Sequence, residues 1–276
     1  MKRLFFISGL CLAFFTSCIR LTDVERNNDN IKQFRNLQSS FNGIELQSSF
    51  DLEIIEYNSD TIIVEAESNL QKLILTELRS GRIIIKTPLG KCIKPHGRVK
   101  IYCKTNALQN VSVTGSGAIY SNNLSCNETS YSIEGSGNIN IIKSESTKEC
   151  KVEGSGSIDI DSIYGKNIAL KIDGSGDIST KKMVCTSTNI DICGSGNIRA
   201  KGSSKTTNIE INSSGDFSDF TFITDSCTAT INGSGSIKLF VLENLNATIK
   251  GSGSILYDGN PTVYKKIWGS GTISKR

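Results

Sequence analysis

A motif of the form Ile/Val-x-Gly-Ser-Gly-x-Ile recurs nine times in this chain at intervals of 18 to 20 residues. It begins at Val113-Thr114-Gly115-Ser116-Gly117-Ala118-Ile119 and ends at Ile267-Trp268-Gly269-Ser270-Gly271-Thr272-Ile273. One copy is a variant, Ile211-Asn212-Ser213-Ser214-Gly215-Asp216-Phe217, with Ser213 in place of the first glycine. From Gly115 to Gly269 is 154 residues in eight steps, a mean of 19.25. A period this regular means stacked coils, each burying its apolar face on its neighbours.

The two apolar positions of a copy are six residues apart and point to one side of an extended chain. The glycines between them permit a sharp bend or a close approach by the adjacent coil. Segments such as Asn140-Ile141-Ile142 and Lys151-Val152-Glu153 read as short strands between Ser, Asn and Lys turns. Proline occurs only three times, as expected where most backbone N–H groups serve inter-coil ladders. No stretch of the array has helical periodicity. The reading is an all-β, single-stranded parallel β-helix, taken as right-handed, with nine rungs forming a rod of about 40 Å. A nucleotide-binding glycine loop would occur once, between a strand and a helix. A calcium-binding β-roll needs a nine-residue period with an aspartate in nearly every copy, whereas only Asp177 and Asp216 follow the second glycine here.

Residues 1–17 combine Lys2 and Arg3 with an apolar run from Leu4 to Phe15 and the small residues Thr16-Ser17, a secretory signal peptide. Cys18 directly follows, as in a bacterial lipobox, although Phe15 stands where leucine is usual. Cleavage there makes Cys18 the lipidated first residue. Residues 18–30 then form a polar, Asn-rich tether and residues 31–276 the β-helix domain, with 31–110 as irregular capping coils and 111–276 as the nine-copy array. The expected location is the cell envelope, as an outer-membrane lipoprotein, with the membrane as a partner through the lipid.

Without Lys2 and Arg3 the chain has 29 bases against 27 acids, an even balance with no nucleic-acid footprint. After Cys11 and Cys18, seven cysteines remain, too many by one to pair among themselves. Cys126 and Cys185 share a phase three coils apart and read as small buried hydrophobes. Cys92 and Cys103 flank Lys94-Pro95-His96-Gly97, and a hairpin there would bring them together. His96 is the only histidine and no CxxC occurs, so no zinc site or other cofactor is expected.

Within 31–110, Leu46-Gln47-Ser48-Ser49-Phe50-Asp51-Leu52 aligns with the repeat if Ser48 and Phe50 replace the glycines. Strands are expected at Phe50–Ile54, Thr61–Ala66, Arg82–Lys86 and Val99–Cys103, with a short helical turn inside Asn69–Leu78. Terminal coils of a stack must cover an open end, so their irregularity is expected.

Repeat phase also stacks the outward residues. Immediately before the first glycine position stand Thr114, Glu134, Glu153, Asp173, Cys193, Asn212, Asn232, Lys250 and Trp268. Glu134, Glu153 and Asp173 would form a ladder of carboxylates about 4.8 Å apart, as a catalytic or calcium cluster requires. Two residues earlier stand Ser112, Ser132, Lys151, Lys171, Asp191, Glu210, Thr230, Thr248 and Lys266, which places Lys151 and Lys171 beside the acids. Opposite charges on a solvated sheet are the simpler reading, and no residue is assigned a catalytic role. Trp268, with Tyr257 and Tyr264 nearby, would make an aromatic platform for a sugar or a partner, or cover the rod's end. Glu134, Glu153, Asp173 and Trp268 are therefore the candidate ligand surface.

Three segments carry a family resemblance. The opening is Phe41-Asn42-Gly43-Ile44, with Ser49-Phe50-Asp51-Leu52-Glu53-Ile54 and Val64-Glu65-Ala66; the Gly-Ser-Gly-x-Ile array follows. The close runs Gly251-Ser252-Gly253-Ser254-Ile255-Leu256-Tyr257-Asp258-Gly259-Asn260-Pro261, then Gly269-Ser270-Gly271-Thr272-Ile273. In these the chain resembles the putative auto-transporter adhesin, head GIN domain family, across nearly all of 31–276. The resemblance implies an exported β-helix protein, often a lipoprotein, with an adhesin role, and supplies no catalytic or ligand residues. More coils and more cysteines than the family pattern distinguish this chain.

The expected function is that of a non-enzymatic envelope lipoprotein, an adhesin whose β surface binds a carbohydrate or protein ligand or serves assembly. The competing readings are a polysaccharide-degrading enzyme using the carboxylate ladder, and a purely structural envelope protein. Even coil spacing leaves no room for the long insertions that would wall a cleft.

Overall fold

The computed structural model describes residues 22–24, 27–35, 40–57, 62–95, 97–104, 108–124 and 128–276. The signal peptide, Cys18, His96 and Cys126 lie outside the described residues. Among the described residues every regular element is a strand, and the strands stack into a parallel β-helix.

Each period folds about its Gly-Ser-Gly bend. Strands Asn110–Gly115 and Ala118–Leu124 flank the first bend and pair in parallel with Thr129–Gly135 and Asn138–Ser144 of the next coil. The motif's isoleucines sit directly over one another, Val113 over Ile133 and Ile119 over Ile139. The second column continues through Ile158, Ile178, Ile198, Phe217, Ile237, Ile255 and Ile273, none more than 9% exposed. Six-residue spacing thus becomes two inward columns that form the core, each buried side chain contributing roughly 1.5–3 kcal/mol. From Asp177 to Gly251 a single strand wraps most of a coil, as in Asp177–Gly194, with bulges such as that between Thr180 and Met183 turning its corners.

The two glycines of a motif do different work. Gly174 has φ +138°, a conformation side chains resist. Gly176 has no such φ, but a Cβ on it would lie 2.3 Å from the Gly156 oxygen and 2.5 Å from Val152 Cγ1 of the coil below. The variant copy separates these roles. Ser213 is not in the left-handed region, and its strand stops at Ile211 instead of running to the motif's first glycine position. Gly215, the second glycine, is kept, because a Cβ there would stand 2.5 Å from the Gly196 oxygen. The position after it clips rung to rung. Asp177 Oδ1 accepts the Asn197 N–H (3.0 Å), and Asp216 Oδ1 accepts the Ser236 N–H (2.8 Å). These aspartates, the two that matched the calcium-roll pattern, serve as structural acceptors.

The N-terminal region contains β1 (Thr22–Asp23), β2 (Asn30–Arg35), β3 (Gly43–Gln47), β4 (Leu52–Glu56), β5 (Ile62–Glu67), β6 (Leu75–Arg79), β7 (Arg82–Lys86), β8 (Lys91–Cys92) and β9 (Val99–Cys103). β3 and β4 form a rung of the array, Leu46 opposite Val113 and Leu52 opposite Ile119, with the Gly117 N–H on the Ser48 oxygen (3.0 Å). The chain then doubles back: β7 and β9 pair in parallel with the far edges of β3 and β4. The first rung in sequence is therefore the second in space. Antiparallel β6 on β7, and β5 with β2 on β9, close the stack. The irregularity of these first coils takes the form of this inverted pair with an antiparallel cover.

The helical turn is confined to 67–74, where Gln71 N–H reaches the Glu67 oxygen (3.1 Å) and Ile74 N–H the Leu70 oxygen (3.1 Å). Leu75–Arg79 becomes strand because the open edge of β7 needs a partner. Gln71, 3% exposed, ties the cap together: its Nε2 donates to Ile31 and Val64 oxygens (2.9 and 3.2 Å) and Oε1 accepts from Arg35 Nη2 (2.9 Å). Glu65 accepts from the Tyr102 hydroxyl (2.6 Å) beside Lys100 and Lys32, and that hydrogen bond holds its carboxyl below the usual range. The described part of the expected tether is docked on this cap. β1 pairs with β8, and Asn27 donates to Glu67 and Ser68 (3.0 and 2.7 Å), so its asparagine satisfies the cap's edge.

Candidate functional site

With the cap at one end and the interior filled, ligand chemistry is left to the outer columns. Thr114, Glu134, Glu153, Asp173 and Cys193 are in register on successive rungs, and Lys250 stands opposite both Asn232 and Trp268 further along. One carboxylate of the ladder, Glu153, is tied to a lysine, and Glu149 on a neighbouring column to another. Lys151 Nζ lies 2.5 Å from Glu153, a hydrogen bond that raises the lysine pKa, and Lys171 lies 2.7 Å from Glu149. Among the described residues no three His, Cys, Asp or Glu side chains are grouped to hold a metal. Asp173 and Trp268 share the column but are five rungs apart, about 24 Å. The four residues of the expected ligand surface thus lie on one face without converging.

The aromatic grouping changes more. Trp268 is 58% exposed and Tyr264 65%, both on strand Thr262–Trp268, while Tyr257 points into the core at 7%. Tyr257 lies two residues after inward Ile255, so strand parity buries it. Trp268 faces outward on the last rung with Lys250 Nζ 5.9 Å from its ring.

The cysteines separate by burial. Cys92 and Cys103 are thiols, on β8 and β9, with no disulfide between them. Cys185 is half-buried, 2.9 Å from Thr188 Oγ1, where a buried residue was expected. Cys193 is exposed; partial burial and then Asp191 raise its pKa. Burial pushes the Cys227 thiol up to about 12, and also raises that of Cys150. In the native protein a thiol reagent is expected to label Cys193 and to spare Cys103, Cys150 and Cys227 until unfolding. Only the thiolate reacts, so Cys193 labelling rises steeply as pH passes above the ordinary thiol pKa. Peptide mapping after a short maleimide pulse checks both statements.

A feature the sequence reading missed lies five and seven residues before each first glycine. Asn189, Asn208, Thr228, Asn246 and Tyr264 form one column, and Ser187, Thr206, Ser226 and Asn244 another. Between them runs an open groove of about 550 Å³, floored by buried Thr188, Thr207, Cys227 and Leu245. Aligning two more columns of the repeat would have found it.

The model of the family described as putative auto-transporter adhesin, head GIN domain, matches this chain twice, over residues 40–148 and 140–261. The chain belongs to this family. Among solved structures, the head GIN chain is similar to a putative adhesin from Parabacteroides merdae ATCC 43184 (20% identity, 92% of this chain and 99% of that one, TM-score 0.68). A putative adhesin from Parabacteroides distasonis ATCC 8503 is 22% identical over 92% and 100% of the two chains, with a TM-score of 0.67. A putative lipid binding protein from the same strain is 23% identical over the same shares, with a TM-score of 0.62. At these identities the likeness shows the fold. No match is found among curated proteins. The two family matches meet at 140–148, where strand pairing continues unbroken (Ile141 on Ile160), so two family lengths share one head GIN stack.

Proposed function

We propose that this head GIN protein is a non-enzymatic, lipid-anchored adhesin of the cell envelope, exported by residues 1–17 and held by Cys18. The observation that supports it is the outer surface itself: short runs of like polar side chains stacked in register, such as Glu134–Glu153–Asp173, Lys151–Lys171 and Asn189–Asn208, suit a long repetitive ligand. The ladder carboxylates bear on the non-enzymatic part. Glu153, the middle acid of the ladder, is paired with Lys151, which holds it as a carboxylate and takes it out of proton exchange with its neighbours.

The test uses cells producing the full chain. Wild type is expected to incorporate a fatty-acid label, sediment with membranes and adhere to a glycan and matrix array above cells lacking the chain. Cys18→Ala should abolish labelling. A soluble, unlabelled wild type removes the anchor, and no adhesion removes the adhesin reading. Glycan cleavage abolished by the triple Glu134/Glu153/Asp173→Ala variant would overturn the non-enzymatic reading.

A further inference from the structure

The geometry points to the groove between the Ser187 and Asn189 columns as a binding site for an uncharged, extended polysaccharide. This deepens the adhesin reading and rests on it for the polymeric nature of the ligand. The groove spans five rungs, about 19 Å from the Asn189 rung to Tyr264. Of the chain as a whole 21% is charged, which would put about three charges among thirteen lining residues, yet the lining has none. Nucleic acids and anionic glycans need cations, and such ligands are disfavoured here.

What the groove offers is amides and hydroxyls. Asn208 Nδ2 donates to Asn189 Oδ1 (2.9 Å), which fixes both rotamers and leaves the Asn189 amide nitrogen and the Asn208 oxygen for a ligand. Asn244 Nδ2 reaches Ser226 Oγ at 3.4 Å, ordering the opposite wall in the same way. Ordered donor–acceptor pairs match vicinal sugar hydroxyls, and fixing them beforehand lowers the entropy lost on binding. Tyr264 ends the groove with an exposed ring, without the cation contacts that Lys265 makes to Tyr257 and Lys250 to Trp268. An exposed ring beside polar groups suits the apolar face of a pyranose.

A peptide fits less well. Backbone groups along the groove are spent on the ladders between rungs, and the outer edge of Thr262–Trp268 lies across the groove's end, so a strand added there would not run along the groove. Each rung instead repeats a similar pair of polar groups at about 4.8 Å, comparable to one sugar in an extended chain. A periodic site of this kind binds a polymer better than its monomer.

The experiment is affinity electrophoresis of the full chain in mild detergent. The gels contain a soluble β-glucan, a xylan, an α-mannan or, for contrast, polygalacturonate. At least one neutral polymer is expected to retard the protein, with oligosaccharide competition strengthening up to about four or five sugars, the span of the groove. Tyr264→Ala and the pair Asn208→Ala/Asn246→Ala should each weaken retardation about tenfold. Arg199→Ala and Lys238→Ala, exposed on the strands beyond the glycine bend, should leave it unchanged. Tyr264 lies exposed on the last rung of its sheet, so its variant folds even if the asparagine pair does not. Retardation by polygalacturonate alone, by no neutral polymer, or undiminished in Tyr264→Ala overturns the proposal. Cell adhesion that persists in the groove variants while retardation is absent removes the groove and leaves the adhesin reading intact.

Discussion

Gly176→Ala is expected to cost about 3 kcal/mol or more, the upper range for forcing extra volume into a packed interior. The added Cβ would meet the Gly156 oxygen at 2.3 Å and Val152 Cγ1 at 2.5 Å. Neither can withdraw, since the Gly156 oxygen accepts the Asp177 N–H (3.1 Å) and Val152 is fully buried. The coil must instead lift from the one beneath. In a stack stabilised by nearest-neighbour interfaces that weakens one interface in mid-rod, so denaturation should separate into two transitions. Calorimetry reads this directly, and a single transition at the wild-type temperature would refute the steric account. Ser213→Gly is the control: it restores a motif glycine where no left-handed residue is used, and should change stability by less than about 1 kcal/mol.

Phe217→Ala should be comparably severe, about 3–5 kcal/mol. Phe217 stands in an otherwise isoleucine column, fully buried, with its ring edge-on to buried Phe222 at 5.5 Å between centroids. Alanine would open a cavity between two wrapped coils whose strands are pinned by pairing on both sides. Phe217→Ile should cost only about 1–2 kcal/mol, because it keeps the column filled and loses mainly the edge-to-face contact. Chemical denaturation of the two variants measures the difference. Equal losses would mean the ring contact, and not the volume, holds this rung.

The array was legible because its period is short and its copies few in kind. Knowing the glycine positions fixes every column, and Glu134, Glu153 and Asp173 fall on successive rungs as counted. Tyr257 was legible by the same parity but was grouped by proximity in sequence with Trp268, which lies on the other sheet. The cap was less legible for a physical reason. Strands β3, β4, β7 and β9 show in the pattern, but their stacking order is decided by pairings 39 to 47 residues apart (Gly43 with Arg82, Leu52 with Val99), on which local composition is silent. Gln71 lies inside the stretch read only as a short helical turn, and nothing local marks it as the residue that bridges Ile31, Val64 and Arg35. The groove escaped because Asn, Ser and Thr also mark turns. Their role appears only when four rungs are laid side by side.

The inverted order of the first two rungs makes the rod a ruler with one fixed end. Beyond β3 and β4, each rung touches only its neighbours, and both family matches run along the same stack without a joint. Duplicating or deleting a whole period of about 19 residues therefore changes reach by about 4.8 Å while the closed end is untouched. Length in this architecture is inherited as copy number, and it can drift between relatives without any redesign of how the chain begins.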